Sequence, residues 1–375
     1  MKIGFIAYES SERASARVRA YRFAEVLARF GHDTHVLSFA DRFGHPGETA
    51  YRLPDTIKIR DNIRALRLLQ KEQDDLLYIQ KVGYHVVAPL LRRWIRGVPV
   101  IIDYDDWDLE VQPFRSLRLF GMGDIEAFTA RVFKRARAVV TASRILEQLA
   151  RRLVGETTGV FCIPTGVDTG RFTPAVHDQV ERDVTFCWTG LIWNEDMFDN
   201  VNCIIEAFAA MTVQAPCTLI IAGRYYAFEQ RLRGLAASMP PDRRIELPGW
   251  IAPETVPDLL RSCDIGLFIL TRDTPYHQAK SPTKLFEYMA SGLPTVVGFH
   301  GESLAVIEDG RSGIIVHDRT ALARAMEILA SRPDLRVTLG TNARSVAETR
   351  YGLAVLADRL NEVVTGCRPA GEGIA

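Results

Sequence analysis

Apolar residues fall into two kinds of stretch that alternate along the chain. Short, mostly apolar runs, at residues 3–8, 98–102 and 218–223, are typical of parallel strands that are covered on both faces. Between such runs, apolar residues recur at intervals of three and four positions, which predicts amphipathic helices. This alternation of strand and helix predicts an α/β fold built from Rossmann-like units.

The length of the chain indicates more than one domain, because 375 residues are too many for one ordinary core. We expect a first Rossmann-like domain over residues 1–168 and a second over residues 169–350. The polar stretch at residues 169–182 suits a hinge between them. Residues 351–375 are expected to contain a last helix followed by a frayed tail.

Composition narrows the class of protein. With 47% hydrophobic and 25% charged residues the chain is ordinary for a soluble globular protein, and no stretch approaches the roughly 20 apolar residues of a membrane span. Six cysteines without a Cys-x-x-Cys pair indicate reduced thiols and no zinc site. We therefore expect a cytoplasmic protein without a signal peptide, and no nucleic-acid partner.

Charge is unevenly distributed along the chain. Residues 1–168 carry 26 Lys and Arg against 21 Asp and Glu, whereas the remaining residues carry 20 against 25. Two predicted helices, at residues 58–73 and 86–95, are rich in basic residues. Such helices lie on anionic lipid in some proteins and only cover a sheet in others. Peripheral contact of the first domain with the inner face of the membrane therefore stays one of two interpretations.

The stretch at residues 281–297 predicts a loop, a helix, a tight stop and a buried strand. Ser281, Pro282 and Thr283 suit the N-cap and first turn of the helix, and Gly292 suits a left-handed cap at its end. Glu287 lies in the first two turns, where it could accept hydrogen bonds from a ribose whose phosphates lie at the helix start. An ordinary surface glutamate near a helix N-terminus is the alternative.

This stretch resembles the signature of retaining glycosyltransferases of the GT-B architecture, family 4. The resemblance implies that Glu287 holds the ribose of a nucleotide-sugar donor and that Lys284 lies beside its phosphates. A second family glutamate, expected eight positions upstream, falls on Ala279 and is missing. The architecture implies two Rossmann-like domains that face each other across a cleft, with the helix in residues 351–375 crossing back to the first domain.

The resemblance also places the donor in the second domain. The family normally has an arginine and a lysine after the glycine that matches Gly190, whereas residues 191–200 contain no basic residue. A departing diphosphate needs positive charge or oriented N–H groups. The substitutes that we consider are Arg224, Arg272, Lys280 and Lys284, of which we favour the two lysines because they are close in sequence to the helix start.

Trp250 or Ile251 is expected near the nucleobase, with a purely structural role for Trp250 as the alternative. The residues that we expect at the donor are Gly190, Arg224, Trp250, Ile251, Lys280, Ser281, Pro282, Thr283 and Leu285.

Four carboxylates at residues 103–108 follow a predicted strand, at the edge where open α/β sheets bind ligands. Asp103 and Asp105 resemble the Asp-x-Asp metal clamp of GT-A glycosyltransferases. Alternatively, Asp105 replaces a family 4 histidine that contacts the transferred sugar or the acceptor, and Asp106 matches the aspartate that follows it. A solvated acidic turn is the third interpretation.

Two arginines lie at the start of the first predicted helix. Arg17 and Arg19 could grip a carboxylate or phosphate of an acceptor, or form a solvated basic face. No Gly-x-Gly-x-x-Gly follows the first strand, which argues against an NAD-dependent dehydrogenase.

These features together predict a retaining glycosyltransferase that moves a sugar from a nucleotide-diphosphate donor to a hydroxyl group. A glycan, a lipid-linked molecule and a small molecule are all compatible acceptors. No metal and no cofactor are expected; the nucleotide sugar is a co-substrate, with uridine as the commonest base. We assign catalytic roles to Asp105, Lys284 and Glu287 and acceptor contacts to Arg17, Arg19 and Asp106.

Two rival functions remain from the sequence. One is a metal-dependent glycosyltransferase that uses Asp103 and Asp105. The other is a non-catalytic nucleotide-sugar-binding protein, which the missing glutamate and the missing basic loop suggest.

Overall fold

The computed structural model describes residues 1–44, 53–107, 109, 124–175, 183–213 and 215–366. The chain divides into two compact units. The first comprises Met1–Thr165, the short segment Ala279–Ser281 and the chain from Ala354 onward, and the second comprises Gly166–Gln278 and Pro282–Leu353. The chain therefore passes from the first unit to the second after Thr165, just before the domain boundary that we predicted at residue 168.

The first unit contains a six-stranded parallel sheet in the order β2-β1-β3-β4-β5-β6. Its strands are β1 (Lys2–Ala7), β2 (Asp33–Ser38), β3 (Leu76–Gln80), β4 (Val100–Tyr104), β5 (Ala138–Thr141) and β6 (Gly159–Cys162). Its helices up to that point are α1 (Ala14–Ala16), α2 (Phe23–Ala28), α3 (Phe39–Phe43), α4 (Asp55–Leu69), α5 (Val87–Arg96), α6 (Ile125–Arg135) and α7 (Arg144–Val154).

The first helix of the chain is less regular than predicted. A π-helical segment, Arg17–Arg22, joins α1 to α2. Arg19 is buried on the same side as Ala16, Ala20 and Phe23, as their spacing of three and four positions requires. The first helix therefore buries an arginine among its apolar residues.

The second unit contains another six-stranded parallel sheet, in the order β12-β11-β10-β7-β8-β9. Its strands are β7 (Val184–Leu191), β8 (Cys217–Arg224), β9 (Arg243–Gly249), β10 (Ile265–Leu270), β11 (Thr295–Phe299) and β12 (Gly313–Ile315). Its helices are α8 (Glu195–Ala209), α9 (Glu229–Ala237), α10 (Val256–Arg261), α11 (Pro275–Ala279), α12 (Thr283–Ala290), α13 (Ser303–Val306), α14 (Arg319–Ser331) and α15 (Pro333–Val346).

Apolar side chains cover both faces of the second sheet. Along β7, Phe186 and Trp188 belong to the cluster on one face, and Cys187 between them belongs to the cluster on the other. This arrangement explains why β7 reads as a continuous apolar run.

The helical chain is interrupted between α15 and its last described helix. A π-helical turn, Ala347–Tyr351, ends α15, and α16 (Leu353–Gly366) follows. The break occurs at Gly352, whose backbone is extended with φ of −63° and ψ of 137°. In the first unit, Asn361 of α16 contacts His32, the two side chains being 2.8 Å apart. No helix among the described residues is long and apolar enough to cross a membrane.

Capping differs between two helices of the second unit. Helix α8 begins at Glu195, and the Asn194 side chain caps it by accepting a hydrogen bond from Met197 N. For α12 the N-cap is Pro282, and no described side chain caps it. The Ser281 hydroxyl, which we expected there, instead accepts a hydrogen bond from Thr165 N at 3.4 Å.

Candidate functional site

The second sheet reverses its strand order between β10 and β7, and ligands of open α/β sheets bind at such a point. Gly190 lies at the carboxyl end of β7, and α12 follows β10 after the short helix α11. Both elements therefore reach the edge of the sheet at which a ligand is expected.

Helix α12 presents one partly exposed face. Thr283, Lys284 and Glu287 are half-buried, whereas the other five residues of α12 are buried. Their spacing places these three side chains on the same side of the helix. The backbone N–H groups of the first turn precede the first intrahelical hydrogen bond, so this end of α12 can receive an anion.

Leu285 can take part in the donor site only through its backbone. Its side chain is fully buried in the apolar cluster of the second unit, because it lies on the face of α12 that covers the sheet. Only its backbone N–H, in the first turn of α12, is placed to contact a ligand.

Lys284 lies over the end of β7. Its Nζ atom is 4.0 Å from the centroid of the Trp188 ring, a cation–π contact. The same Nζ atom is so close to Gly190 that a side chain at that position would collide with it. Sequence reasoning missed Trp188, although it lies two residues before the glycine that we singled out.

Two glycines allow the backbone to come close at this edge. Gly223, at φ of 150°, packs directly against the carbonyl oxygen of Gly190, so a Cβ atom there would collide with it. Thr189 N donates a hydrogen bond of 2.9 Å to the Tyr288 hydroxyl oxygen, which ties the end of β7 to α12. The hydrogen bond therefore holds α12 against the carboxyl end of β7.

Arg224 and Trp250 come together at the carboxyl ends of β8 and β9. The guanidinium carbon of Arg224 is 4.4 Å from the centroid of the Trp250 ring, and 45% of Trp250 is exposed. An exposed aromatic face backed by an arginine can stack with a planar base. Ile251 instead packs against the apolar cluster of the second unit.

The start of α8, which follows the loop after Gly190, is held by side-chain contacts of Arg272 and His277. Arg272 Nε lies 2.7 Å from Asp196, its Nη2 atom lies 2.7 Å from Asp199, and His277 Nε2 lies 3.0 Å from Asp196. Arg272 is therefore already paired with two carboxylates of α8. Lys280 belongs to the segment that packs with the first unit. Of the substitutes considered, Lys284 lies closest to the Gly190 backbone.

In the first unit, Arg19 and Asp103 form a buried ion pair. Arg19 Nε donates to Asp103 Oδ2 at 2.9 Å and Nη2 donates to Oδ1 at 2.5 Å. The Tyr78 hydroxyl also donates to Asp103 Oδ2 at 2.9 Å, and Arg19 Nη1 donates to Ile163 O at 2.6 Å. Burial is the largest single effect and disfavours the arginine charge, but Asp103, Tyr78 and Asp105 together outweigh it and raise the pKa of Arg19.

Two interpretations from the sequence are corrected by this pair. Arg19 is fully buried with its guanidinium bonded to protein groups, so it does not grip an acceptor. Asp103 is fully buried, and both of its carboxylate oxygens are hydrogen-bonded to Arg19. The interpretation of Asp103 and Asp105 as a metal clamp is therefore wrong for Asp103. Arg17 is half-buried and donates to Glu12 O at 3.1 Å, and its role as an acceptor contact stays a prediction.

Asp105 is buried beside this pair. Its Oδ2 atom accepts a hydrogen bond of 3.1 Å from Gln80, and its Oδ1 atom has no hydrogen-bond partner among the described residues. Burial raises the pKa of Asp105 to about 7, although Lys81 acts in the opposite direction. A carboxyl group with a pKa near neutrality and an unmet oxygen can exchange a proton or a hydrogen bond with a ligand.

Lys81 was missed by the sequence analysis. Its Nζ atom lies 3.2 Å from Glu9 and 3.2 Å from Asp106, and so joins the carboxyl ends of β1, β3 and β4. The pair with Glu9 bridges β1 and β3, between which the first sheet reverses its strand order. A lysine directly after a buried strand was the signal that could have identified it.

No group of three or more His, Cys, Asp or Glu side chains among the described residues is placed to hold a metal ion. Arg19 supplies positive charge to Asp103 within β4, and Lys81 supplies it to Asp106 just after this strand.

Comparison with known families identifies the chain. The sequence profile described as Glycosyl transferases group 1 matches residues 183–332, and the one described as Glycosyltransferase Family 4 matches residues 16–171. The chain belongs to the glycosyltransferase family that these two profiles describe. The family that residues 281–297 indicate is thereby confirmed, and so is the α/β fold of two Rossmann-like domains, the GT-B architecture.

Relatives of this family 4 chain are distant. The Salmonella typhimurium protein WcaL, a putative colanic acid biosynthesis glycosyltransferase, is 31% identical over 27% of this chain. A GDP-mannose-dependent phosphatidylinositol monomannoside mannosyltransferase of Mycolicibacterium smegmatis is 23% identical over 64% of it. The chain spans 25% and 65% of the lengths of these two relatives.

Solved structures share the whole fold. Anabaena HepE in complex with UDP-glucose superposes with a TM-score of 0.73 at 17% identity, covering 98% of this chain and 100% of that one. At this identity the likeness establishes the fold.

Proposed function

We propose that this protein transfers a glycosyl group from a nucleotide-diphosphate sugar to an acceptor hydroxyl group. The observation that carries the proposal is the partly exposed face of α12, with Lys284 and Glu287, beside the Gly190 backbone. A diphosphate at the start of α12 would meet the free N–H groups and the Lys284 ammonium together. Glu287, one turn further along, would accept hydrogen bonds from the ribose.

Uridine is the base that we propose for the donor. HepE of Anabaena, which shares the fold, has been crystallised with UDP and with UDP-glucose. The stacked Arg224 and Trp250 offer a flat surface to a base but do not select one base by hydrogen bonding.

We propose that transfer proceeds with retention and without a protein nucleophile. The bond between the sugar C1 and the diphosphate oxygen breaks as the bond from the acceptor oxygen to C1 forms on the same face. The acceptor proton passes to the departing diphosphate, whose charge Lys284 balances. Asp105 would orient the acceptor hydroxyl, and Asp106, held by Lys81, would contribute a further contact.

The names of two relatives support two classes of acceptor. Colanic acid in the description of WcaL supports a growing polysaccharide. The phosphatidylinositol mannoside in that of the mycobacterial relative supports a lipid-linked acceptor, which would require the protein to work at a membrane surface.

A non-catalytic nucleotide-sugar-binding protein is the second candidate. It is favoured by Ala279, which is fully buried at the position of the missing family glutamate. Its carbonyl oxygen accepts a hydrogen bond of 2.7 Å from Ser143. This candidate predicts donor binding without transfer and without slow hydrolysis of the donor.

Thermal unfolding with a panel of nucleoside diphosphates and their sugars tests the donor site. A ligand at a hundred times its dissociation constant stabilises the folded state by about 2.7 kcal/mol. We expect one base to stabilise the wild type and the Glu254→Ala control, whose glutamate is exposed, but not Glu287→Ala. No shift with any nucleotide, or an equal shift in Glu287→Ala, would overturn the assignment of the site. Incubation with the nucleotide sugar that stabilises the protein then shows whether the protein transfers or hydrolyses the sugar, as an enzyme would, or only binds it.

A further inference from the structure

The second sheet opens between β7 and β10 towards their carboxyl ends. Strand β7 pairs with β10 only at Phe186 and Cys187, whereas it stays paired with β8 as far as Leu191. Alternate residues of a strand direct their backbone groups to the same neighbour. Thr185 faces β10, because its carbonyl oxygen accepts a hydrogen bond from the residue before that strand. The backbone N–H of Thr189 therefore also points to the side of β10, beyond the last paired residue.

A tyrosine of α12 fills this opening. The Tyr288 hydroxyl oxygen accepts the hydrogen bond from Thr189 N, and it also lies 3.1 Å from Thr189 Oγ1. Tyr288 is fully buried, and Gly266 of β10 leaves room for its ring, since a Cβ atom there would come within 2.6 Å of the ring. Tyr288 therefore takes the place of the strand partner that Thr189 lacks.

The direction of the hydrogen bond between the two hydroxyls follows from what each can donate and accept. Tyr288 has one proton to donate, and burial raises the pKa of Tyr288 well above its usual value, so the hydroxyl keeps that proton. Among the described residues, Thr189 Oγ1 is the acceptor within its reach. A buried hydroxyl that donates to nothing costs free energy, so Tyr288 donates to Thr189 Oγ1. The proton of the Thr189 hydroxyl is then left for a ligand.

The Thr189 hydroxyl lies beside the charge of Lys284. Lys284 and Tyr288 are four positions apart and so lie on the same side of α12. Lys284 reaches Trp188 and Gly190, and Tyr288 reaches Thr189 between them. Thr189 is half-buried, so it is accessible to a ligand at the carboxyl end of β7.

We propose that the Thr189 hydroxyl donates a hydrogen bond to the diphosphate of the donor, and that Tyr288 is the positioning residue that orients this hydroxyl. The inference rests on the donor site proposed above. Residues 191–200 contain no basic residue to meet the diphosphate. A donor that is held in place before the reaction stabilises the negative charge of a leaving group. Thr189 and Lys284 together therefore supply part of what the missing basic residues would supply.

Titration calorimetry of the whole protein tests the contact. UDP, GDP and ADP share the diphosphate, and the nucleoside of whichever binds the wild type most tightly is the probe without phosphate. Thr189→Val should raise the dissociation constant of the nucleotide about tenfold, through loss of a hydrogen bond to a charged group, and leave that of the nucleoside unchanged. Thr189→Ser keeps the hydroxyl and should bind the nucleotide within about twofold of wild type. Thr338→Val, which removes an exposed threonine hydroxyl of α15, should do the same.

Tyr288→Phe tests the orienting role. In the wild-type background it should raise the dissociation constant of the nucleotide about threefold, because the Thr189 hydroxyl is no longer held in place. In the Thr189→Val background it should have no effect, because the hydroxyl that it orients is absent. The double variant also leaves no buried tyrosine hydroxyl without an acceptor, so it separates a lost phosphate contact from misfolding.

Three results would overturn the inference. They are wild-type nucleotide affinity in Thr189→Val, equal weakening of the nucleoside by that variant, and the same effect of Tyr288→Phe in both backgrounds. If one of them occurs while Lys284→Met still weakens nucleotide binding, the donor site stands and this inference fails. If none of the three nucleotides binds the wild type, the donor site itself is refuted, and this inference with it.

Discussion

Replacing Asp105 by asparagine should stabilise the protein at alkaline pH while abolishing its transfer activity. Asp105 is buried, has one hydrogen-bond partner in Gln80, and keeps one oxygen without a partner in the described structure. Burial raises its pKa from 3.8 to about 7, with Lys81 opposing the shift. Asparagine has nearly the same shape but no charge to remove from water.

The sign and size of the effect follow from proton binding. An unfolded chain releases the Asp105 proton near pH 3.8, whereas the folded protein keeps it until about pH 7. Between these values the folded state binds more protons, so the free energy of unfolding falls as pH rises and levels off above the folded pKa. At about 1.4 kcal/mol per pKa unit, the loss is on the order of 4 kcal/mol. Asp105→Asn does not undergo this loss.

Urea denaturation of wild type and Asp105→Asn at about pH 5 and about pH 8 measures the effect. All other titratable groups are present in both proteins, so the difference between their free energies of unfolding reports on Asp105. The stability of Asp105→Asn relative to wild type should increase by about 3 kcal/mol between the two pH values, because about two pKa units of the shift lie between pH 5 and the folded pKa. Asp33→Asn, which removes an exposed carboxylate of the same unit, should show no such increase. Equal pH dependence in Asp105→Asn and wild type would refute the reasoning, and unchanged transfer would refute the catalytic role.

Three further predictions concern other positions. Lys284→Met should raise the dissociation constant of UDP about tenfold to hundredfold, because a charged hydrogen bond contributes about 1.5–3 kcal/mol, without weakening uridine. Titration calorimetry measures both ligands, and an equal loss for uridine would contradict a phosphate contact. Arg19→Met should lower the free energy of unfolding by about 3–5 kcal/mol, and adding Asp103→Leu should recover most of it. Urea denaturation measures both variants, and losses that simply add would show that the two residues are not coupled. Gly223→Ala should lower the melting temperature, because its methyl group would collide with a backbone carbonyl of β7, whereas Gly234→Ala, in open space on α9, should not. A melting temperature for Gly223→Ala equal to that of Gly234→Ala would disprove the close approach.

The order of strands and helices could be predicted from the sequence because it depends on local patterns. The apolar runs and the Gly292 cap define α12 and its neighbouring strands without any knowledge of the rest of the chain. The resemblance added Lys284, which the structure places against Gly190. Both residues lie on elements that are adjacent at the carboxyl edge of one sheet.

Contacts between distant parts of the chain could not be predicted. Arg19 and Asp103 are 84 positions apart, and nothing in the local pattern around Arg19 distinguishes a buried arginine from a solvated one. The partners of Lys81 could not be predicted either, because Glu9 and Asp106 follow two other strands of the sheet. Burial of a charge depends on its partner, and the partner is known only once the strand order is known.

Backbone strain marks both proposed sites. Among the described residues other than glycine, Lys81 and Tyr226 have positive φ, at 65° and 47°. Lys81 directly follows β3 beside Asp105, and Tyr226 lies two residues after Arg224, the last residue of β8. Such conformations cost about 1–3 kcal/mol each and persist where the surrounding structure holds them. Strained backbone occurs at the carboxyl edges of both sheets, where ligands are expected, and the edge of the first sheet also contains a buried carboxylate that destabilises the folded state. Residues that lower stability at these edges are better explained by contact with a ligand than by a role in folding.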